Sequence, residues 1–288
     1  MLADAVEYLA CPLCGTALTL AERMLRCARG HSFDVARHGY ASLLPGDVHA
    51  GTADTAAMVA ARDEFLRAGH FAVIAQAVAE EAVAATTTAA AGGCVVDVGA
   101  GTGYYLAATL DRLPDRVGLA LDLSRYALRR AARAHPRIAA LRCDAWRALP
   151  VRDGCAAAVL TVFAPRQPAE IRRILRPDGA FILVTPTARH LAELVAPLGL
   201  LTVDERKPER LAEQFGATLM LADQHAIDTE VTLARADVAG VAAMGPSAWH
   251  TDPAMLAERI SKLPDRKTVT VSVTISTYRP KATSGGAE

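Results

Sequence analysis

The sequence contains few aromatic residues and no excess of either charge, and each shortage limits the functions it can have. Aromatic residues make up 5% of the 288 positions, whereas hydrophobic residues make up 52%. The core must therefore be largely aliphatic, and the abundant alanine favours helices. The 31 basic side chains are balanced by 31 acidic ones, which gives a formal net charge of zero. Any affinity for nucleic acid must come from a local patch of positive charge.

The sequence also lacks any apolar run long enough to cross a membrane, and its N-terminus lacks a charged segment followed by an apolar one. These two absences predict a cytoplasmic protein without a membrane partner. Six cysteines in a reducing compartment are typical of metal ligands and buried thiols rather than disulfides. A length of 288 residues suits one large domain with a small addition, or two modest domains.

What the sequence does contain is a glycine-rich turn after an apolar strand. Val95–Val98 has the composition of a buried parallel strand around Asp97, and Gly99, Gly101 and Gly103 follow it. A dinucleotide fingerprint, G-x-G-x-x-G, requires its third glycine one residue later, where this chain has a tyrosine. We therefore interpret the turn as a pocket for a cofactor without phosphates. The pattern D-x-G-x-G-x-G resembles motif I of the class I methyltransferases that use S-adenosylmethionine.

Two further strands end in acidic residues. An apolar strand near 117-122 ends in Asp122, whose carboxylate would accept hydrogen bonds from both ribose hydroxyls. A strand near 138-143 is followed by Asp144, in the place where such enzymes hold the adenine. Because the carboxyl ends of parallel strands meet at one edge of a sheet, both acids, Gly101 and the segment Phe163–Arg166 should line one cleft.

Strands and helices alternate along the rest of the chain, which predicts a doubly wound α/β fold of the Rossmann-like class I type with seven strands. Two helices should precede the sheet, one from an N-cap at Asp54 to about residue 69 and one over about 70-85. Residues 228-258 are interpreted as an insertion with Trp249 as a core residue. The strands are expected near 94-99, 117-122, 138-143, 156-163, 179-185, 217-221 and 267-278.

The N-terminal residues carry two knuckles with the spacing of metal ligands. Cys11 and Cys14 form a C-x-x-C pair, and after twelve residues Cys27 and His31 form a C-x-x-x-H pair. Three thiolates and one imidazole in two short turns fit a closed, structural zinc site. The metal would supply folding energy that so few apolar residues cannot. The other cysteines, at positions 94, 143 and 155, have no partner at ligand spacing and are predicted to be core thiols.

Two stretches are candidates for binding RNA, and the sequence leaves an alternative open for each. His31–Tyr40 mixes rings and cations suited to clamping single-stranded RNA, but its aromatic residues would equally form the small core of a zinc-ribbon hairpin. A later helix presents a cationic stripe that fits either phosphate binding or a solvated face. Arg62 and Arg67, by contrast, are interpreted as a solvated face. The stripe consists of Arg125, Arg129, Arg130 and Arg133.

These patterns divide the chain into four parts. Residues 1-44 are predicted to form a zinc-ribbon RNA-binding domain, and residues 45-93 a linker with a helical lead-in. Residues 94-280 are predicted to form the S-adenosylmethionine-dependent methyltransferase domain, and residues 281-288 a disordered tail.

Many amino-group methyltransferases carry an N/D-P-P-Y motif where this chain has Phe163–Arg166, so an exocyclic amine is disfavoured as the methyl acceptor.

The motifs together resemble the RlmA and TlrB family of 23S rRNA guanine-N1 methyltransferases, and the TlrB-type macrolide-resistance branch most closely. The resemblance covers nearly the whole chain to about Pro280. Its most specific parts are CPLC with CARGH, FDVARHGYASLL, ARDEFLRAGHF, VVDVGAGTGYY, VFAPR, RRILRPDGAFILVTP, RHLAEL and MGPSAWH.

The resemblance implies a substrate, partners and further site residues. It implies methyl transfer to N1 of a loop guanine near the macrolide site, in 23S rRNA or a ribosomal precursor particle. The branch implies tylosin or macrolide resistance, and the alternative is modification of a neighbouring guanine that other members choose. A homodimer is also implied, with the zinc ribbon binding RNA. Cofactor contacts are implied for Phe71, where relatives often have tyrosine, and for Gly101, Thr102 and His190.

Methylation at guanine N1 requires that the N1 proton leave as the nitrogen attacks the methyl group. Most of the rate should come from in-line alignment, and a general base adds a further ~10²–10⁴-fold. His190 is the candidate base because it follows the fifth strand at the cleft, although the resemblance favours it as a cofactor contact. Other candidate bases are Asp34, His38, His70 and Glu193.

Two other functions are compatible with part of the sequence. A small-molecule methyltransferase would need the cofactor half alone, and the zinc ribbon disfavours that reading because small acceptors do not need a second, RNA-sized platform. A non-catalytic RNA-binding protein with a relic pocket is disfavoured by the intact set of acids and glycines after the first strands.

Overall fold

Two β-sheets, one small and one large, organise the part of the chain that the computed structural model describes, namely residues 2–46, 53–87, 92–200, 215–245 and 252–281. A short helix, α1 (Leu2–Ala5), and a 3-10 turn (Val6–Tyr8) come first. The small sheet is antiparallel, and its strands are β1 (Leu18–Ala21), β2 (Met24–Cys27) and β3 (Ser32–Asp34).

The large sheet is the doubly wound α/β sheet that the sequence predicts. Its strands in chain order are β4 (Tyr40–Ser42), β5 (Cys94–Val98), β6 (Gly118–Asp122), β7 (Ile138–Arg142), β8 (Ala156–Val162), β9 (Leu175–Pro186), β10 (Leu219–Ala234) and β11 (Arg266–Pro280). Across the sheet they follow the order β10-β11-β9-β8-β5-β6-β7-β4. Strands β4 to β9 are parallel to their neighbours within this group, whereas β11 is antiparallel to both β9 and β10.

Within the described residues the large sheet has eight strands, so the predicted number of seven is wrong. The additional strand is β4, which pairs in parallel with β7 from Tyr40 opposite Ala140 to Ser42 opposite Arg142. The sequence interpretation placed these residues in the zinc-ribbon unit alone. A three-residue strand with one buried side chain, Ala41, is too short to show a periodicity, and its partner lies a hundred positions further along the chain.

Helices cover both faces of the large sheet. The predicted N-cap at Asp54 is wrong, because the helix begins one residue later and the Thr55 hydroxyl accepts the hydrogen bond from the Met58 N–H. The helices are α2 (Ala56–Arg67), α3 (Ala72–Thr87), α4 (Tyr104–Arg112), α5 (Arg125–Ala134), α6 (Pro168–Ile174), α7 (Ala192–Leu198), α8 (Arg235–Met244) and α9 (Pro253–Ser261).

The central strands are buried on both faces, and alternate residues belong to different cores. Val95 packs into a core shared with helices α2 to α5, whereas its neighbour Val96 packs into a second core on the opposite face. Leu25 and Phe33 of the small sheet lie in that second core, together with Ile171 of α6. The N-terminal unit is therefore packed against the large sheet rather than held at a distance from it.

The antiparallel pair of β10 and β11 is longer than expected. The strands were predicted near 217-221 and 267-278, but β10 extends to Ala234 and pairs with β11 back to Arg266. The predicted insertion at 228-258 is therefore wrong in its first part, which continues the sheet. The stretch between Asp223 and Glu230 is rich in polar residues that are exposed or half-buried, so it lacks the apolar pattern of a buried strand. Trp249 and residues 282-288 of the predicted tail lie outside the described residues.

Cys94 and Cys143 are buried, as predicted for core thiols, whereas Cys155 is half-buried. Among the helices that the structure describes, none combines the length and the apolar character required to cross a membrane.

Candidate cofactor cavity and metal centre

A cavity of about 460 Å³ lies at the carboxyl ends of β5, β6, β7 and β8. Its floor is the glycine turn after β5, and the acids that end or follow β6 and β7 line one side. Val162 at the end of β8 and residues 163–165 after it line another side. A further wall is formed by helix α2 and the residues next to it. These residues are Met58, Arg62 and Leu66 of the helix, Asp54 before it and Phe71 after it. The cleft predicted from the strand ends is thus present in the structure, and a helix that the sequence did not connect with it forms one wall.

The glycine turn brings neighbouring segments closer than any other residue type would allow. Gly99, Gly101 and Gly103 all have positive φ angles, of 77°, 55° and 80°. A Cβ atom at Gly99 would lie 2.3 Å from the Cβ of Ala164, and one at Gly103 would lie 3.0 Å from the Cα of Ala131. The sequence pattern predicts glycine here for two reasons, close approach of a ligand and positive φ. The positive φ angles are confirmed, whereas at Gly99 and Gly103 the close neighbour is the protein itself.

Asp122 is held in place by the backbone on both sides. Its Oδ2 accepts a hydrogen bond from the Gly101 N–H (2.8 Å), and its Oδ1 accepts one from the Ser124 N–H (2.7 Å). Burial raises the pKa of this carboxyl above its ordinary value. Each carboxylate oxygen retains a second lone pair for a ligand hydroxyl, so the orientation suits the predicted pairing with two ribose hydroxyls.

Asp97 is the more unusual acid of the cavity. Its side chain is 1% exposed, and its Oδ2 has no hydrogen-bond partner among the described residues. Burial, with a smaller contribution from the negative charge of Asp122, raises the pKa of Asp97 to about 8. A buried carboxylate without a partner is destabilising unless a cation enters the site. The ammonium group of S-adenosylmethionine has that charge, so the donor set of the cavity fits this cofactor.

Asp144 and Trp146 line the far side of the cavity. The Asp144 Oδ1 accepts a hydrogen bond from the Trp146 N–H (2.9 Å), which fixes the turn after β7. The Trp146 indole is 65% exposed, an unusual position for a large apolar ring. A flat, exposed ring next to a half-buried acid suits a flat heteroaromatic ligand such as an adenine.

Arg62 lies in the cavity wall, and its interpretation as part of a solvated face is wrong. Its guanidinium forms an ion pair with Asp54 and donates a hydrogen bond from Nη2 to the carbonyl oxygen of Met244 (2.8 Å). A Cβ atom at Gly101 would lie 3.8 Å from this guanidinium. The arginine therefore lies directly beside the glycine turn in the cavity wall. No signal within α2 distinguishes it from Arg67, because both of its partners, Asp54 and Met244, lie outside this helix.

Phe71, Phe163 and His190 form an aromatic cluster beside the cavity. The His190 ring lies 5.5 Å from the Phe71 ring and 5.4 Å from the Phe163 ring, measured between centroids. Both phenylalanines line the cavity, whereas His190 is not among its described lining residues and stands behind them. Phe163 has a φ of 55°, a conformation that an aromatic residue rarely adopts, and its side chain is 40% exposed.

The protonation state of His190 follows from its surroundings. Burial lowers its pKa to about 4, so the ring is neutral at pH 7. The Ser272 N–H donates a hydrogen bond to its Nδ1 (3.2 Å), which places the single ring proton on Nε2. A neutral imidazole in this tautomer offers a donor, and its basic nitrogen is already engaged.

The other candidate bases lie away from the cofactor cavity. Among the described residues that line it, none of the four is present; they are Asp34, His38, His70 and Glu193. The imidazole of His70 is 3.2 Å from a carboxylate oxygen of Asp237. The Glu193 carboxylate accepts hydrogen bonds from the Thr270 N–H (3.0 Å) and hydroxyl (2.6 Å). The contacts of Glu193 account for its side chain within the fold, whereas the buried His70 Nε2 is close to Asp237 but forms no hydrogen bond among the described residues.

The predicted metal ligands converge in the small sheet. One ligand atom from each of Cys11, Cys14, Cys27 and His31 lies within 4.8 Å of all the others. The Sγ atoms of Cys14 and Cys27 are 3.7 Å apart, and the His31 Nδ1 lies 3.4 Å and 3.5 Å from two of the thiols. A tetrahedron with bonds of about 2.3 Å has edges of about 3.8 Å, so the spacing matches a four-coordinate zinc ion. The set of three thiolates and one imidazole is closed and structural.

Two family models match separate parts of the chain. A zinc-ribbon model described as "RlmA, N-terminal" matches residues 9–49, and a model described as "Methyltransferase domain" matches residues 95–179. The first match contains the four metal ligands, and the second contains the glycine turn with the acids that follow it.

Two relatives are similar over almost their whole length. A Streptomyces fradiae protein named 23S rRNA (guanine(748)-N(1))-methyltransferase is 49% identical over 277 residues, which covers 96% of this chain and 98% of the relative. A Micromonospora griseorubida protein, provisionally named 23S rRNA (guanine-N(1)-)-methyltransferase, is 49% identical over 293 residues, which covers 96% of this chain and 99% of the relative.

A solved structure supports the fold. It is a complex between the Haloferax volcanii Trm112 methyltransferase activator and a protein provisionally assigned as a methyltransferase. The match has a TM-score of 0.50 at 22% identity and covers 80% of this chain and 99% of that chain.

Proposed function

The chain belongs to the family of 23S rRNA (guanine-N1)-methyltransferases, and from that premise we propose that it transfers a methyl group from S-adenosylmethionine to N1 of a guanine in 23S rRNA. The observation that carries this proposal is the 49% identity to the Streptomyces fradiae enzyme, which extends over 96% of the chain. It therefore includes both the metal-binding knuckles and the cofactor cavity. The proposed target is the guanine that corresponds to position 748 in the name of that relative.

The cofactor supplies a methyl group on a positively charged sulfur, which makes the methyl electrophilic. We assign its binding to residues of the cavity according to their chemistry. The buried carboxylate of Asp97 would accept hydrogen bonds from the ammonium group, and Asp122 would accept them from the ribose hydroxyls. Asp144 and Trp146 would hold the adenine, and Arg62 would face the carboxylate end of the cofactor.

The acceptor guanine enters from the side of Phe163. Its exposed ring and strained backbone, at the carboxyl end of β8, support a role in stacking on a base. The protein then aligns N1 with the methyl group. We propose His190 and Phe71 as positioning groups for the cofactor rather than as the proton acceptor, because the His190 Nδ1 is occupied and its Nε2 carries the proton.

The domain organisation and the assembly are also proposals. We propose that residues 1-44 bind RNA, that residues 45-93 connect the two units and that residues 94-280 carry out catalysis. The two separate family matches support this division. A homodimer, action on rRNA or a precursor particle in the cytoplasm, and resistance to tylosin-type macrolides follow from the family resemblance alone.

The experiment that tests the function is incubation of the purified protein with labelled S-adenosylmethionine and unmodified 23S rRNA, followed by nucleoside analysis. We expect the label in N1-methylguanosine, and reverse-transcription stops should then map the position. A protein that binds the cofactor but transfers no label to free or ribosome-bound rRNA would contradict the proposal.

A further inference from the structure

A second cavity, of about 730 Å³, adjoins the first and is rich in positive charge. It lies between α4 and α5, with α2 at one end and the N-terminal unit at the other. Leu66, Thr102 and Tyr104 line both cavities, so one wall of side chains separates them. A group held in the second cavity would therefore lie next to the methyl-transfer site.

The described lining of this cavity contains more arginines than acids, since two carboxylates, of Asp63 and Asp111, stand against Arg67, Arg129, Arg130 and Arg133. Asp63 Oδ2 lies 3.0 Å from the Arg130 Nε and 3.2 Å from the Arg67 Nη2, so one carboxylate is shared by two arginines. Among the described residues, Arg129 and Arg133 have no carboxylate partner, although they lie one helical turn apart on α5. Like charges at this spacing repel each other. The Arg129 Nε is buried and has no hydrogen-bond partner within the described part of the chain.

The N-terminal unit contributes to the same surface. The turn between β3 and β4 packs on α5 so closely that a Cβ atom at Gly39 would lie 3.5 Å from the Cβ of Ala132. His38, in that turn, lines the cavity. Its pKa is lowered by burial and by the nearby positive charges of Arg129, Arg37 and Arg133. The fold thus places a neutral imidazole of the N-terminal unit beside the cationic surface of α5.

We propose that this second cavity binds phosphate groups of the substrate RNA backbone, held by Arg129 and Arg133 of α5 and by His38 of the zinc ribbon. The proposal rests on the proposed function and adds to it the place where the RNA strand is anchored. Guanidinium groups match phosphate oxygens in charge and geometry, and a chain without net charge requires such a local patch to attract a polyanion. The shared wall then positions the strand relative to the methyl-transfer site.

The test measures the affinity of the full-length protein for an unmodified 23S rRNA transcript by filter binding, between about 50 and 200 mM salt. The variants are Arg133→Gln, an exposed position that does not threaten folding, and the double variant Arg129→Gln/Arg133→Gln. The control removes the same charge away from the cavity with Arg172→Gln/Arg266→Gln. Cofactor affinity, measured by calorimetry, verifies that each variant is folded.

We expect the double variant to bind the transcript about tenfold more weakly and its salt slope to decrease by about 2, with half that decrease for Arg133→Gln. The control should match the wild type. Equal affinity and salt slope for the double variant and the control would overturn the inference while the wild-type protein still methylates rRNA. A wild-type protein that neither binds nor methylates the transcript would overturn the proposed function itself.

Discussion

At the scale of single residues, Asp97 is the group whose charge depends most on the contents of the cavity. It is buried, and one of its oxygens has no partner among the described residues. A cofactor ammonium would favour the ionised carboxylate, whereas the empty cavity favours the protonated form. Cofactor binding should therefore be accompanied by release of a proton at pH values below about 8.

We predict that Asp97→Asn weakens cofactor binding about 10- to 100-fold, because it removes a buried hydrogen bond to a charged group. Calorimetry in buffers of different ionisation heat should also show that proton release disappears.

In the cofactor-free wild type, the stability that protonated Asp97 contributes is complete below the unfolded-state pKa of 3.8 and is lost as the pH rises through about 8. Melting curves of the variant should lack this component. Unchanged affinity would contradict the role of Asp97 in binding the ammonium.

For His190→Gln, we predict weaker cofactor binding but a fall in turnover, at saturating cofactor, of less than the ~100-fold that loss of a general base would cause at minimum. The reason is that Nδ1 already accepts the Ser272 N–H and that the pKa of about 4 keeps the ring neutral. Cofactor affinity and single-turnover rate are measured separately. Two results together would instead identify His190 as the base. The variant would lose more than this in rate, and its pH–rate profile would lack an ionisation with a pKa near 4 that the wild-type profile shows.

At the scale of structural elements, the turn after β5 and the segment after β8 depend on each other. We predict that Gly99→Ala impairs cofactor binding and lowers the melting temperature, since the new Cβ would collide with Ala164 and φ is 77°. Adding Ala164→Gly removes the collision but leaves the backbone strain, so the double variant should recover part of the loss.

Gly240→Ala is the control for this prediction, because its Cβ would meet its neighbours at 3.9 Å or more within α8. It should leave the melting temperature unchanged or raise it slightly. If Ala164→Gly gave no recovery in the Gly99→Ala background, the close approach of the two segments would not be what shapes the cavity.

The parts of the fold and site that the sequence predicted are those encoded within a few adjacent residues. The glycine turn, the strand that ends in Asp122 and the cysteine knuckles each combine a short pattern with a local physical requirement. Arg62 could not be predicted, because its role depends on Asp54 and on Met244, far along the chain. The length of β10 was missed for a different reason: many of its side chains are exposed, so polar residues replace the apolar pattern of a central strand.

At the scale of the whole molecule, the unit that holds the metal centre is joined to the large sheet by a shared hydrophobic core and by a pair of strands. The ligands lie in the small sheet, whose Leu25 and Phe33 share a core with the large sheet, and β4 follows directly and pairs with β7. A structural zinc site contributes on the order of 10 kcal/mol to folding of its unit. Loss of the metal should therefore destabilise part of the large sheet as well as the N-terminal unit.

We predict that removing zinc with a chelator lowers the melting temperature of the whole protein and increases hydrogen exchange in β7. The strand β9, on the other side of the sheet, should retain its protection. Restoring zinc should reverse both changes, which separates metal loss from irreversible damage. Unchanged exchange in β7 after chelation, with the ribbon itself unfolded, would show that the two units are energetically independent.

The pairing of β4 with β7 also has a consequence for the order in which the protein is made. Translation delivers Tyr40 a hundred residues before its partner Ala140, so the ribbon can bind its metal while the strand it will support does not yet exist. β11, which lies between β9 and β10, is the last to be synthesised of the strands that the structure describes. Among the described strands of the large sheet, the edge strand β4 is thus made first, and β9 lacks its second neighbour until β11 has been made.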